Sequence, residues 1–470
     1  MWNYQGKNFR PFTAIMSNGY GRQIIYTRKA EITKSNIVEE LRKALTTHRQ
    51  NALEIKYLDN YYKGDQPILY RQKDIRPEVN NKNVENLAYM IVETKTAEIV
   101  GEPIQYVLRG VDQKKAEEVN TLNVIMSEED KHHYDIELKR WSSICGTAYR
   151  FVGNDGGEGR LLDNSPFYLS TENPLYTFVC YYTNGREAFS CQIREDEDGK
   201  DIYTIYTDTE WFIIKGDEIV DSGMNITGAI PVVEYPNNSR RLSDIEITIT
   251  LTDAINTMSS DRSNGIEQFV ASWVKFVNCD VDEESFIAMR QEGALVVKSN
   301  NGTDNKADVD ILTNELNQTE SQVAVTDMYE KLLVVQGLAN RNNTSSGDTG
   351  SAVELRNGHY DAEKRAELAE PIFKRSERKF LRLVLSRLRI QDGISLVASD
   401  VDIQISRSKL DNALTKAEVM QILLQCGIEE SIAIKTVGLF SDAQGTYLAS
   451  KERMDILYPK EVENVEVEEV

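Results

Sequence analysis

From residue 36 onward the apolar positions Val38, Leu41, Leu45, Ala52, Ile55 and Leu58 recur close to helical spacing and predict a helix ending near Tyr62. Ser35 or Asn36 supplies a capping side chain, Glu39 completes a capping-box pattern with Asn36, and Gly64 follows as a left-handed stop. A second helix is predicted over 84–100, with Leu87, Ile91 and Ile99 on one side and Gly101 at its end. Pro103 then opens a short strand, Ile104 to Leu108. Between Gly146 and Tyr235 the period changes to alternation, with turns at Asn154-Asp155-Gly156-Gly157, Asn184-Gly185 and Asp198-Gly199, so this stretch reads as sheet. Asn184-Gly185 sits between two β-rich runs and signals a hairpin, because both residues tolerate positive φ.

Beyond Ser243 the helical period returns. Ile247, Leu251, Ile255, Met258, Ile266, Phe269, Trp273 and Phe276 form a stripe, and a helix of about 30 residues would be about 45 Å long. The next segment, 279–318, holds nine acids and three bases, with a strand expected at Ala294 to Lys298 before the turn Asn300-Asn301-Gly302. Another helix is predicted over 319–339, striped by Val325, Met328, Leu332 and Val335. Asn340 to Gly350 contains no apolar residue, can bury nothing, and reads as a mobile loop. The longest helix follows, with Leu355, Ala362, Ala366, Ala369, Phe373, Phe380, Val384 and Leu388 on one side over about 39 residues, roughly 58 Å. Pro371 interrupts it and predicts a kink near Ala366 to Pro371, since an interior proline removes a ladder bond. Small helices are expected over 410–457. The last ten residues carry five Glu and no base, a composition that predicts disorder.

Composition changes this picture in one respect. The 470 residues contain 54 Lys+Arg against 75 Asp+Glu, a formal charge of −21 that excludes a generic basic nucleic-acid binder. At roughly 150 residues per domain, about three domains are expected, and 40% apolar residues are enough to give each a core. No run of about 18 apolar residues occurs and the first ten residues are polar and aromatic, so neither a membrane span nor a signal peptide is expected. Cys145, Cys180, Cys191, Cys279 and Cys426 are widely spaced without a C-x-x-C pair and read as reduced, mostly buried thiols.

The chemistry-bearing patterns fail one by one. There is no Walker A sequence, so the chain is not itself a P-loop motor. Gly156, Gly157 and Gly159 lack the rest of a dinucleotide fingerprint and lie between strands, where a plain turn is the simpler reading. His132 and His133 are helical neighbours about 100° apart, which makes no zinc face. No G-x-S-x-G elbow occurs, and with 75 acids the carboxylate pairs are too numerous to be diagnostic. No catalytic or metal-binding residue and no cofactor is assigned. Physics alone leaves open a large helical bundle with an insertion and a polar loop.

Certain segments carry a family likeness. "YLDNYYKGDQPILYR" (57–71) and "NNKNVENLAYMIVETKTAEIVGEPIQY" (80–106) are followed in order by "CGTAY" (145–149), "IPVVEYPNN" (230–238), "SDIEITITLTDAINTMSSDRSNGIE" (243–267) and "GDTGSAVEL" (347–355). The series resembles tailed-bacteriophage portal proteins of the siphophage type. The resemblance implies an α+β, mostly helical subunit with wing, stem, clip and crown, assembling into a ring, usually of twelve. Such a ring stands at one capsid vertex and conducts double-stranded DNA during packaging and ejection. The partners it implies are the packaging terminase, head-completion or adaptor proteins, and the major capsid and scaffolding proteins, with no membrane.

Carried onto this chain, 1–34 is an N-terminal extension without counterpart and 35–243 the wing, with its β-rich part at 146–235. The helix 244–278 leads from wing to stem, 279–318 is the clip and 319–339 the stem helix. The resemblance puts the tunnel loop at 340–350, with Asn340, Arg341, Asn342, Asn343, Thr344, Ser345, Ser346, Gly347 and Asp348 as its DNA-channel residues. The kinked wing helix and a return strand take 351–409, the crown 410–457 and an acidic disordered tail 458–470. Asp280, Asp282, Glu283 and Glu284 in the clip would meet a basic face on a partner. Ring closure would be heterologous, with the stripes near Met258 to Phe276 and Met328 to Val335 supplying much of it.

Simple geometry agrees with such a ring. Twelve helices of about 10 Å diameter, side by side, enclose an opening close to 28 Å, which admits a duplex roughly 20 Å across. Negative charge suits a conduit, since each Lys or Arg on phosphate would add a salt-dependent anchor. The rival readings are another ring-forming virion adaptor, which is usually much shorter, and an acidic monomeric hydrolase, which would have no reason to form rings.

Overall fold

A computed structural model describes residues 21–74, 77–110, 112–154, 167–270, 273–277, 308–312, 318–340, 358–405, 413–437, 439, 445–447, 449–451 and 453. The chain divides into two units, one made of Gly64–Asn86 and Thr248–Val335, the other of Arg10–Lys63, Leu87–Ile247 and Gln336–Val470.

The larger unit is built on a six-stranded sheet. Strands β5 (Thr177–Tyr182), β6 (Glu187–Glu195), β7 (Asp201–Tyr206), β8 (Glu210–Lys215) and β9 (Glu218–Met224) follow one another as an antiparallel meander. The expected hairpin between β5 and β6 forms, but only Gly185 takes positive φ, at +82°, while the Asn184 side chain accepts from Arg186 N–H. The β5 edge is closed by β1 (Ile25–Thr27), which runs parallel to it with Ile25 opposite Cys180.

Helix α1 (Ile37–Tyr62) lies on this sheet, and its Ile37, Leu41, Ala44 and Leu45 pack with Phe178, Phe189, Ile205 and Phe212. Burying each such side chain is worth roughly 1.5–3 kcal/mol. The capping box expected at Asn36 does not form. The Asn36 side chain accepts from Thr33 N–H at 2.9 Å and donates to the Glu31 carbonyl, while Glu39 pairs with Lys43 at 2.6 Å. A local turn has outcompeted the cap for the same side chain.

A second core gathers around the remaining elements of this unit. Helices α2 (Leu87–Val100), α3 (Gln113–Glu128) and α4 (Lys131–Cys145) surround two small sheets. One has the order β10 (Val232–Pro236), β3 (Thr147–Asn154), β4 (Phe167–Glu172); the other pairs β2 (Gln105–Leu108) antiparallel with β13 (Val401–Gln404). Helix α7 (His359–Asp392) buries Phe373, Phe380, Val384 and Leu388 in this core. Beyond it lie α8 (Ala413–Gln425) and α9 (Glu430–Val437), two small helices of the kind expected for 410–457.

At the junction of α4 and β3, Gly146 has φ +84°, and a Cβ added there would stand 1.9 Å from the Arg241 carbonyl oxygen. Its own carbonyl accepts from Asn237 N–H at 3.0 Å, so the two chain segments are fastened back to back. Gly146→Ala should therefore cost more than the roughly 1–2 kcal/mol of left-handed strain alone. Gly199→Ala, at φ +74° with nothing within 4 Å, should show only that strain. Urea denaturation midpoints of the two variants check the difference.

In the smaller unit, helix α5 (Ile249–Val270) is followed by β11 (Trp273–Val277), which pairs antiparallel with β12 (Asp308–Leu312), and by α6 (Gln318–Gln336). This corrects the expected single helix through Phe276, because Trp273 and Phe276 stand on a strand. The run Trp-Val-Lys-Phe-Val is rich in β-formers, and its partner lies more than thirty residues away, beyond any local period. The longest helix runs from His359, after Gly358, over 34 residues, and Leu355 lies outside the described residues.

Part of the expected N-terminal extension is integrated as well. Arg22 is buried against Glu54 at 3.0 Å and against Glu246, and β1 completes the large sheet. Cys145, Cys180 and Cys191 are buried free thiols, with burial pushing Cys180 up to about 12, while Cys426 is free and exposed. Cys279 and the expected strand at 294–298 lie outside the described residues.

Candidate ring and channel elements

The smaller unit takes the chain out along one helix and back along another. The β11–β12 register sets Trp273 opposite Leu312 and Val277 opposite Asp308, so the segment 278–307 departs and returns at adjacent residues. Asp280, Asp282, Glu283 and Glu284, the acids expected in a clip, belong to that segment and lie outside the described residues. Nearer the helix ends, the Arg262 side chain of α5 donates to Gln322 of α6.

One side of α5 is polar yet buried, and the Asn-rich segment before α2 explains why. Residues 80–86 form no helix or strand, so their backbone groups need partners. Asn264 Oδ1 accepts from Asn81 N–H at 2.6 Å, Ser260 Oγ from Asn83 N–H at 2.9 Å, and Asn256 Oδ1 from Glu85 N–H at 2.8 Å. Asn256, Ser260 and Asn264 are spaced four residues apart and so lie along one stripe of α5. Arg71 adds an ion pair to Asp261 at 2.9 Å. Asn256, Ser260 and Asn264 of α5 thus stand in for the backbone partners that the Asn-rich segment lacks, a role that a period count does not reveal.

The end of α6 and the start of α7 are also neighbours, both within the larger unit. Gly337 turns the chain at φ +68°, where a Cβ would stand 2.2 Å from the Arg365 side chain. Gly358 turns it back at φ +77°, with the Leu338 carbonyl oxygen 4.0 Å from an added Cβ. Chain leaving at Leu338 therefore comes back beside it at Gly358. Of the nine residues expected in the channel, Asn340 is described, half-buried and without helix or strand; Arg341 to Asp348 lie outside the described residues.

Helix α7 continues on both sides of Pro371, which cannot donate to the carbonyl four residues back. Its anchor is electrostatic as well as apolar. Glu377 is fully buried and accepts from Tyr106 OH at 2.5 Å, Tyr235 OH at 2.7 Å and Lys131 Nζ at 2.8 Å. Asp135 pairs with Lys131 at 2.6 Å and with Arg150 at 2.5 Å. Two cations and two anions balance, binding α7 to α4, β2, β3 and β10. Burial pushes the Glu377 carboxyl up, but the charges of Lys131 and Arg150 outweigh it and hold the group at about 2. Tyr106 and Tyr235 are driven well above their ordinary values by burial and by the Glu377 charge. The sequence reading missed this cluster, whose members are scattered from residue 106 to 377 and meet only in the fold. His132 and His133 do not join it, and His133 is exposed.

A family model described as "Phage portal protein, SPP1 Gp6-like" matches residues 41–455. The chain belongs to this phage portal family. No curated protein matches it. Among solved structures, a chain from the "Neck of empty GTA particle computed with C6 symmetry" is similar at 10% identity and a TM-score of 0.49, over 91% of this chain and 98% of that one. The portal subunit is α+β, as expected, and its family is a structural one that forms the ring at a capsid vertex.

Proposed function

We propose that copies of this subunit close into a homo-oligomeric ring, twelve in number, that conducts double-stranded DNA into the head and out again without catalysing a reaction. The family match over 41–455 carries the reading. The later part of α5 together with α6 serves as stem, with 279–318 as the clip that docks the packaging terminase and later the head-completion proteins through Asp280, Asp282, Glu283 and Glu284. The tunnel loop is 340–350, within the stretch that leaves at Leu338 and returns beside it at Gly358. Pro371 would kink α7 near Ala366 to Pro371. The wing elements meet capsid and scaffolding proteins, and assembly occurs in the host cytoplasm.

Exposed apolar surface on the stem supports side-by-side packing. Val323 and Val334 are 63% and 71% exposed, and eleven residues is close to three helical turns, so both stand on the same side of α6. Ile266 of α5 is half exposed as well. A neighbour that covers these positions removes apolar surface from water on each contact around the ring. Purified protein should scatter light with a mass far above 53.5 kDa and appear as rings in negative stain. A salt-independent monomer at micromolar concentration would overturn the proposal.

A further inference from the structure

The chain carries 21 more acids than bases, yet one stretch of α7 reverses that balance. Lys374 to Arg389 holds seven bases and a single acid, Glu377, which is buried in the cluster described above. Arg378, Arg382 and Arg389 stand at successive offsets of four and seven residues and therefore form one stripe. That stripe borders a groove of about 530 Å³, closed on the other side by the turn that leads into β13 and by Arg109 at the end of β2. Leu385, Val397 and Ala398 give the groove an apolar lining.

Not all of these guanidinium groups are engaged. Arg109 is paired with Asp402 at 2.9 Å, and Arg389 donates to the Leu396 carbonyl at 3.0 Å. Arg378 and Arg382 are exposed and make no hydrogen bond or ion pair among the described residues. The groove therefore presents two free positive charges over apolar side chains.

We propose that the acidic segment Glu461–Val470 of the same chain occupies this groove. The segment contains five Glu interleaved with four Val and no base, so it can offer carboxylates to the arginines while setting valine side chains on Leu385, Val397 and Ala398. From Arg378 to Arg389 the helix rises about 16 Å, the length of roughly five extended residues. A duplex suits the groove less well. Its phosphates gain nothing from an apolar lining. A tethered segment, by contrast, competes at an effective concentration in the millimolar range. Docking would mask the arginines. The inference does not depend on the ring or on DNA passage.

The test uses full chains and a fluorescein-labelled peptide of sequence 461–470, followed by fluorescence anisotropy. A chain with Glu461, Glu463, Glu466, Glu468 and Glu469 all changed to Gln should bind the peptide at least tenfold more tightly than the unaltered chain, whose groove is filled. Adding Arg378→Ala and Arg382→Ala to that chain should weaken peptide binding at least tenfold, with the thermal unfolding midpoint unchanged. Equal binding by the unaltered and Glu→Gln chains would overturn the proposal, as would binding that survives the arginine substitutions. A duplex oligonucleotide that displaces the peptide at lower concentration would reassign the groove to nucleic acid. A Ser386→Cys, Glu466→Cys pair reports the source of the segment. Mass spectrometry should find the 386–466 cross-link in the single-chain band, and a cross-link found only between chains would overturn the same-chain assignment.

Discussion

Glu377→Ala should lower the stability of the subunit by about 3–5 kcal/mol, because it leaves Lys131 and Arg150 buried with only Asp135 to balance them. Glu367→Ala, on an exposed turn of the same helix and paired with Lys364 at 2.8 Å, should cost less than about 1 kcal/mol. Denaturant midpoints at a fixed protein concentration compare the two. Acid provides a second reading of the same cluster. Glu377 titrates lower in the folded chain than in the unfolded one, so its contribution is complete above the ordinary carboxylate range and is lost as pH falls toward about 2. The gap between the unaltered chain and Glu377→Ala should shrink over that interval. A gap that stays constant from pH 5 to pH 2 would show that the carboxylate is not the anchor.

Deleting Asn342 to Asp348 should leave ring assembly intact and abolish packaging. Assembly survives because Leu338 and Gly358 are already side by side, and the shortened connection spans no new distance. On the proposed tunnel-loop assignment, packaging would fail because the removed Asn, Ser and Thr residues would no longer be there to make short-lived contacts with phosphate, leaving only Arg341 beside the gap. Nuclease-protected DNA per particle, compared with ring yield by negative stain, separates the two effects. Full packaging by the shortened chain would remove the channel assignment from 340–350.

The elements that were legible in the sequence are those whose reasons are local. Residue 36 to Tyr62 reads as helix because one stripe of it is apolar, and Asn184-Gly185 reads as a hairpin because the turn needs positive φ. Where the reason lies far along the chain, reading fails. Trp273 and Phe276 continue a helical stripe by count, yet they pair with Leu312 and Val309 across a long excursion. Ile25 to Thr27 is too short to announce itself, and only the open edge of β5 makes it a strand. The Glu377 cluster follows the same rule, since nothing near position 377 says that Tyr106 and Tyr235 will aim their hydroxyls at it. The proposed site is unevenly legible for another reason: channel and clip residues were assigned by family likeness, and their chemistry is that of contact, which leaves no compact motif.

The amide-and-hydroxyl seam along α5 has a consequence for how the smaller unit can come apart. Most seams in a protein are greasy, and prising them open exposes surface that sticks to whatever is near. Here the joints at Asn81, Asn83 and Glu85 are hydrogen bonds that solvent can take over one at a time. Opening this strip would expose amide and hydroxyl groups in place of a greasy face.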